Sequence, residues 1–318
     1  MVRAAAIDWI RGGAGRLWSD AVSDGAATAA ISLIGGAPIG ALRPLDGAWA
    51  ELCRAAALPA SRLEHRLPAL IDTGAVPYGV IGDSHGRLLC RRSRRRGRWL
   101  LPVWSLETGA SARGLPGDGR SGAGPRVRAA LARLLALDVP VLVKFGQIDV
   151  EFVHVFKRLA GGPDAFDPAE FAAFADRTIE RYLEFLTDAV PPVARSRVRV
   201  MSLFPPTLSD AAWREGYLNA HLVDVHGPAD HADLAAALGR LEIPDLARRT
   251  ALHAAVNVRL RAAVEAEGFA WGDDFAPWLG DGDVVDRAWQ GPAAGRDHHL
   301  DHHAVRQRML DHLWSILD

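Results

Sequence analysis

Five consecutive residues, Gly82-Asp83-Ser84-His85-Gly86, gather a hydroxyl, a carboxyl and an imidazole among small neighbours. A neutral hydroxyl is a weak nucleophile, and it needs a base within hydrogen-bond reach and donors opposite to hold an oxyanion. The tripeptide Gly82-Asp83-Ser84 alone is equally an ordinary turn, so ester or acyl-transfer chemistry requires partners from elsewhere in the chain. Three further stretches offer them. They are Thr108-Gly109-Ala110-Ser111-Ala112-Arg113-Gly114-Leu115, Phe145-Gly146-Gln147-Ile148-Asp149 and Gly295-Arg296-Asp297-His298-His299-Leu300-Asp301. The last contains an imidazole base with a nearby carboxyl that can hold its tautomer and stabilise the imidazolium formed when the hydroxyl gives up its proton.

Such groups must be delivered by elements that end near one another. Residues 76–81 form a short apolar run leading straight into the Ser84 loop, as expected of a buried parallel strand. Further strands are expected over 99–106, 139–145 and 198–204, with a short apolar run over 269–271. Helical spacing marks 126–137, 167–190, 245–268 and 303–317, and Asp167-Pro168 suits an N-cap followed by the first helical residue. Strands alternating with helices predict a doubly wound, mostly parallel α/β sheet whose binding crevice lies at the carboxyl ends of its strands. Residues 1–75 read as an Ala-rich helical extension, clearest over 47–57, and residues 76–318 as the α/β domain.

Composition narrows the function class. With 318 residues, 49% hydrophobic and 24% charged, the chain can bury a sizeable core. A net charge of -1 gives no global field for nucleic acid, and the basic run over 91–98 reads as a solvated loop, because lysine occurs only at 144 and 157 and arginine is the default cation. Cys53 and Cys90 lack the spacing of a zinc site or disulfide framework, which fits a reducing compartment. The N-terminus does not read as a secretory signal, and the apolar stretch 26–42 is broken by Gly35, Gly36, Pro38 and Gly40. A cytoplasmic protein without a membrane or nucleic-acid partner is expected.

The order of the four motifs resembles that of the SGNH (GDSL-type) hydrolase superfamily, and more narrowly a bacterial branch associated with polysaccharide biosynthesis that carries a Phe-Gly-Glu-Ile-Asp-type third block. Ser202-Leu203-Phe204-Pro205-Pro206-Thr207, Trp213 and Gly216-Tyr217 share in that likeness, which covers residues 76–316. The resemblance implies a flavodoxin-like, five-stranded sheet and a serine esterase or O-acyltransferase acting on an acylated carbohydrate or related metabolite, without cofactor or metal. It assigns Ser84 as nucleophile, His299 as base with His298 as competitor, and Asp297 as orienter. Oxyanion donors would be the N–H groups of Ser84 and Gly109, with Gly114 less favoured, and the amide of Gln147. Departures are evident at Gln147 and Glu151, at Ile148 where many members have Asn, and at Arg296, which stands three before His299 where the Asp is expected. Asp83, His85, His154 and Asp149 are further candidates for lining the site, Asp149 in a structural role. Trp213, Tyr217 and Trp271 either line a sugar or acyl pocket or belong to the core.

Two other readings stand beside this one. The chain can be a binding module that keeps the fold without catalysis. Alternatively, Asp83-x-His85 resembles the opening of a two-metal phosphoesterase site, with Gly282-Asp283-Val284-Val285-Asp286-Arg287 as second motif and His298, His299, His302, His303, Asp297 and Asp301 as ligands. The order argues against it, since the second motif arrives about two hundred residues late and no Gly-Asn-His block lies between.

Overall fold

A computed structural model describes residues 67–68, 70–117, 122–161, 164–217 and 231–318. The expected helix over 47–57 and most of the N-terminal extension lie outside the described residues. The strands are β1 (Ala75–Gly82), β2 (Arg94–Arg95), β3 (Arg98–Leu106), β4 (Val141–Lys144), β5 (Val198–Met201) and β6 (Ala270–Gly272). The helices are α1 (Ala123–Ala136), α2 (His154–Leu159), α3 (Pro168–Ala189), α4 (Asp210–Arg214), α5 (His231–Arg240), α6 (Leu246–Ala266) and α7 (Arg306–Leu317).

They build one mixed sheet in the order β2-β3-β1-β4-β5-β6, flanked by helices. Five strands run parallel and β2 pairs antiparallel with β3. The sheet therefore has six strands, not the expected five. The extra strand comes from the basic run: Arg96 (φ 51°) and Gly97 (φ 82°) both adopt left-handed backbone, the two-residue hairpin turn whose twist suits paired strands. Its exposed Arg94 and Arg95 leave a charged edge that discourages pairing with another chain.

β1 is buried along its whole length, and successive side chains serve different layers. Tyr78 and Val80 pack with Leu100, Trp104, Leu142 and the α7 residues Leu313 and Trp314. Ile81, Val103, Val141 and Val143 face the opposite layer, built from Val127 and Leu131 of α1, Phe185 of α3 and Leu260 of α6. α3 begins where the sequence placed it, with Asp167 accepting the Ala169 N–H at 2.8 Å and Pro168 in the first turn.

Strand order decides where a site can form. The chain steps from β1 to β3 on one side and then adds β4, β5 and β6 on the other, so the loops leaving β1 and β4 diverge and open a crevice between them. Ser84 follows β1, and Gln147 and Asp149 follow β4. The Tyr78 hydroxyl steadies the first loop, lying 2.9 and 2.8 Å from the Leu89 and Arg91 carbonyls and accepting the Arg91 N–H at 3.1 Å. No helix of the described residues is long and apolar enough to cross a membrane.

At the β1–β4 seam, a Cβ on Gly82 would stand 2.6 Å from the Lys144 carbonyl oxygen, so the strands approach too closely for any side chain. Gly82→Ala is expected to lower stability by about 1–3 kcal/mol in urea unfolding, because backbone rather than a flexible side chain must move. An unchanged midpoint would contradict that packing.

Candidate active site

Asp83 leaves β1 in an extended conformation and caps the 3-10 turn Ser84–Leu89. Its Oδ1 accepts the His85 N–H at 2.8 Å and faces the His85 Nδ1 at 3.0 Å. Ser84 is the first residue of that turn, so its N–H has no carbonyl of the turn to meet. Across the crevice, Asp297 repeats the arrangement: Oδ1 accepts the His299 N–H at 3.0 Å and meets its Nδ1 at 2.9 Å. His299 Nε2 then lies 2.8 Å from the half-buried Ser84 Oγ. The structure thus brings Ser84, His299 and Asp297 into one hydrogen-bonded line. The short Asp-x-His spacing suffices because a carboxyl side chain can close a tight turn onto the residue two further on.

The loop bearing His299 is tied down by three bonds. Thr207 Oγ1 donates to the Asp297 carbonyl (2.7 Å), Ser209 N–H to the Gly295 carbonyl (2.9 Å) and Gly295 N–H to Gln290 Oε1 (2.9 Å). The hydrogen bond from His299 holds the Asp297 carboxyl down at about 2, against partial burial that pulls the other way.

His298 does not meet Ser84. Its Nδ1 lies 2.8 Å from the Tyr217 hydroxyl, and its ring packs edge-on against Phe152 with centroids 5.1 Å apart. Burial first, then the neighbouring His299 and His85, push it down to about 2. His299 is therefore the imidazole that meets Ser84, with His298 beside it. The Tyr217 hydroxyl is spent on His298, whereas Trp213 is buried against Phe152 in the core.

Gln147 is a correction. Its amide nitrogen donates to Glu151 Oε1 (2.6 Å) and the Phe204 carbonyl (3.3 Å), while its oxygen accepts the Phe204 N–H (2.9 Å). Both amide hydrogens are used, so Gln147 clamps the β4 and β5 loops together and has none left for an oxyanion. Gly114 is also committed, donating to the Ser111 carbonyl and Oγ, both at 3.1 Å. Gly109 sits at φ 75° in the turn after β3 that Ala110 N–H closes onto the Glu107 carbonyl (2.9 Å). That turn leaves the Gly109 N–H outside its own hydrogen bond, and because Gly82 and Leu106 are register partners it lies at the same sheet end as Ser84.

Asp149 is structural in its contacts: its carboxyl accepts the Ala112 N–H (2.6 Å) and Arg113 N–H (3.4 Å), joining the second and third loops. His154 is not with Ser84. It bonds Glu170 at 2.7 Å and lines a separate small cavity of about 40 Å³ with Glu151, Arg158, Phe166, Trp213 and His253. Nor do the later acidic residues join Asp83. Asp286 caps a turn by accepting the Ala288 N–H, and among the described residues the metal-competent cluster is His85, His298 and His299 alone. His302 is bonded to Arg91 through Nε2 at 2.7 Å.

Sequence reading missed the buried Lys144, which donates to the Ser202 carbonyl, lies 3.3 Å from Asp274 and sits under the Phe204 ring. Its signal was a lysine closing the apolar run Val141-Leu142-Val143 in a chain with only two lysines.

No family model and no curated protein matches the chain. Among solved structures it is similar to an acylhydrolase candidate from Bacteroides fragilis, with 10% identity, a TM-score of 0.37 and coverage of 76% of this chain and 88% of that one. It is also similar to a GDSL-like lipase from Bacteroides thetaiotaomicron, with 10% identity, a TM-score of 0.36 and coverage of 85% and 95%.

The buried titratable groups set a pH dependence. Burial lowers His85, His154, His253 (to about 4), His298 (to about 2) and His302 (to about 4). Burial raises Asp149 to about 7 and Glu151 to about 8. Below about pH 6.5, down to their lowered values, the unfolded chain takes up protons these imidazoles refuse, so they make stability rise with pH. Over the range up to about 8 the folded chain keeps carboxyl protons that the unfolded chain has released, so Asp149 and Glu151 make stability fall with pH. The more numerous imidazoles win below about 6.5 and have no further effect above it. Thermal midpoints measured from about pH 4.5 to 8.5 should therefore peak near about 6.5, with Glu151→Gln flattening the alkaline side; a midpoint that climbs steadily to 8.5 would refute this.

Proposed function

We propose that the chain is a serine-dependent ester hydrolase or O-acyltransferase of the SGNH/GDSL type. The observation that carries this reading is the line from Asp297 Oδ1 through His299 to Ser84 Oγ, with contacts of 2.9 and 2.8 Å. Ser84 attacks the ester carbonyl while His299 accepts its proton. Asp297 fixes the tautomer with Nδ1–H toward itself and the Nε2 lone pair toward Ser84. His299 then returns the proton to the leaving alcohol, and water or a second hydroxyl resolves the acyl-enzyme. The N–H groups of Ser84 and Gly109 serve the oxyanion, each worth about 10²–10³ in turnover.

An O-acylated carbohydrate or related metabolite is the proposed substrate, a choice that follows the motif resemblance. The partly exposed rim supports a solvent-facing ester of this kind, with Asp297 half exposed and His299 about a quarter exposed.

The test is hydrolysis of p-nitrophenyl acetate in EDTA, together with fluorophosphonate labelling. Ser84→Ala and His299→Ala should each lose on the order of 10⁶ in kcat, to background, and Asp297→Asn about 10⁴. Wild type alone should carry the label, at Ser84. A wild type that neither hydrolyses nor labels favours the non-catalytic binding module, and activity that EDTA abolishes favours a metal-dependent phosphoesterase.

A further inference from the structure

Two Asp-x-His turns, one following β1 and one on the C-terminal loop, face each other across the crevice with the same internal geometry. Their rings lie tilted against each other, His85 to His299 at 4.5 Å and 32°, and His298 closes the group at 3.9 Å from His299 and 5.5 Å from His85. One ring nitrogen of each residue lies within 4.8 Å of those of the other two.

We propose that His85, His298 and His299 form a cradle for a single nitrogen-preferring divalent cation, zinc foremost, whose binding takes His299 away from Ser84 and switches the site off. The serine reading underlies the switching half of this proposal, and the binding half is independent of it.

The hydrogen bonding around the rings is what singles out this cluster. Every Nδ1 already has an oxygen partner, Asp83 at 3.0 Å, Asp297 at 2.9 Å and Tyr217 at 2.8 Å, so coordination falls to the three Nε2 atoms. A metal-bound imidazole characteristically gives its other N–H to a carboxylate or another oxygen, which fixes the ring and makes it a better ligand. Here that outer ring of contacts is assembled before any ion arrives. Tyr217 completes it by accepting the His298 Nδ1 hydrogen in the tautomer a metal would select.

His85 adds a second observation. Its Nε2 lies 3.3 Å from the His298 carbonyl oxygen, a hydrogen bond that only the Nε2–H tautomer makes; in the Nδ1–H tautomer, whose proton Asp83 accepts, the same nitrogen carries a lone pair open to an ion. Three imidazoles suit zinc rather than magnesium or calcium, which prefer oxygen. Zinc–nitrogen bonds of about 2.0–2.1 Å place tetrahedral ligands about 3.4 Å apart, so the three rings must shift to bring their Nε2 atoms to that spacing. Water or Ser84 Oγ would fill the fourth position. Nothing is oxidised or reduced: three lone pairs move onto the ion, and the Ser84–His299 hydrogen bond is lost.

Metal-free wild type and Ser84→Ala should be titrated with zinc by calorimetry and with cobalt(II) by visible absorption, which reports tetrahedral nitrogen coordination. Both proteins should bind one equivalent. Affinity should fall at least about 10-fold in His298→Ala and about 10–100-fold in Tyr217→Phe, the loss expected when an outer-ring partner is removed. One equivalent of zinc should block fluorophosphonate labelling of wild-type Ser84, and EDTA should restore it. Absence of saturable binding, or binding that His298→Ala and His85→Asn leave unchanged, overturns the cradle. Faster hydrolysis with zinc overturns the switch. If Ser84→Ala binds zinc through the histidines but wild type neither labels nor hydrolyses, the cradle stands and the serine reading falls.

Discussion

The rest of the molecule depends on the parallel pairing of β1 between β3 and β4. Burying an apolar strand on both faces requires covering layers above and below, and the chain supplies α1, α3 and α6 on one side and α7 with its preceding loops on the other. Because β3 and β4 leave β1 in opposite directions, two loops part at the same sheet end. The carbonyl of Lys144 holds the Asp83 N–H at 3.0 Å across that seam, so the start of the Ser84 loop is an extension of the sheet itself. A rigid strand end of this kind can hold a side chain to a few tenths of an ångström, where a free loop could not.

Polar groups around the crevice are satisfied largely by one another. Gln147 spans the Phe204 backbone, Asn257 brackets the Leu203 N–H and carbonyl at 2.7 and 3.2 Å, and Asp149 holds the second loop. These buried side chains convert otherwise irregular loops into a braced floor, since backbone groups taken from water must find partners. The same bracing explains why the third motif departs from what its resemblance implied: Gln147 is consumed as a strut, which leaves the proposed oxyanion role to backbone N–H groups.

Much of the fold was legible. The strands over 76–81 and 99–106 and the helices over 167–190 and 245–268 emerged within a residue or two of their expected ends, because buried apolar runs, N-cap carboxyls and Pro168 are local signals. β2 was not legible as a strand, since two charged residues carry no hydrophobic pattern and only the left-handed pair Arg96-Gly97 reveals the hairpin. The short helices α2 and α4 escaped as well, because six and five residues are too few to show a helical period.

Residue types and the chain order of four motifs, read through the superfamily they resemble, named Ser84, Asp297 and His299 as a set. The tertiary structure separates His299 from its competitor His298, since adjacent side chains point to different places, one ring toward Ser84 and the other toward Tyr217. Tertiary structure alone also made Gln147 a strut, placed His154 in another cavity and set His85 against His299. Those outcomes turn on which atoms are already bonded and on the meeting of loops more than two hundred residues apart in the chain. Local sequence sets what a side chain can do, whereas the fold decides which lone pairs and hydrogens are left over to do it.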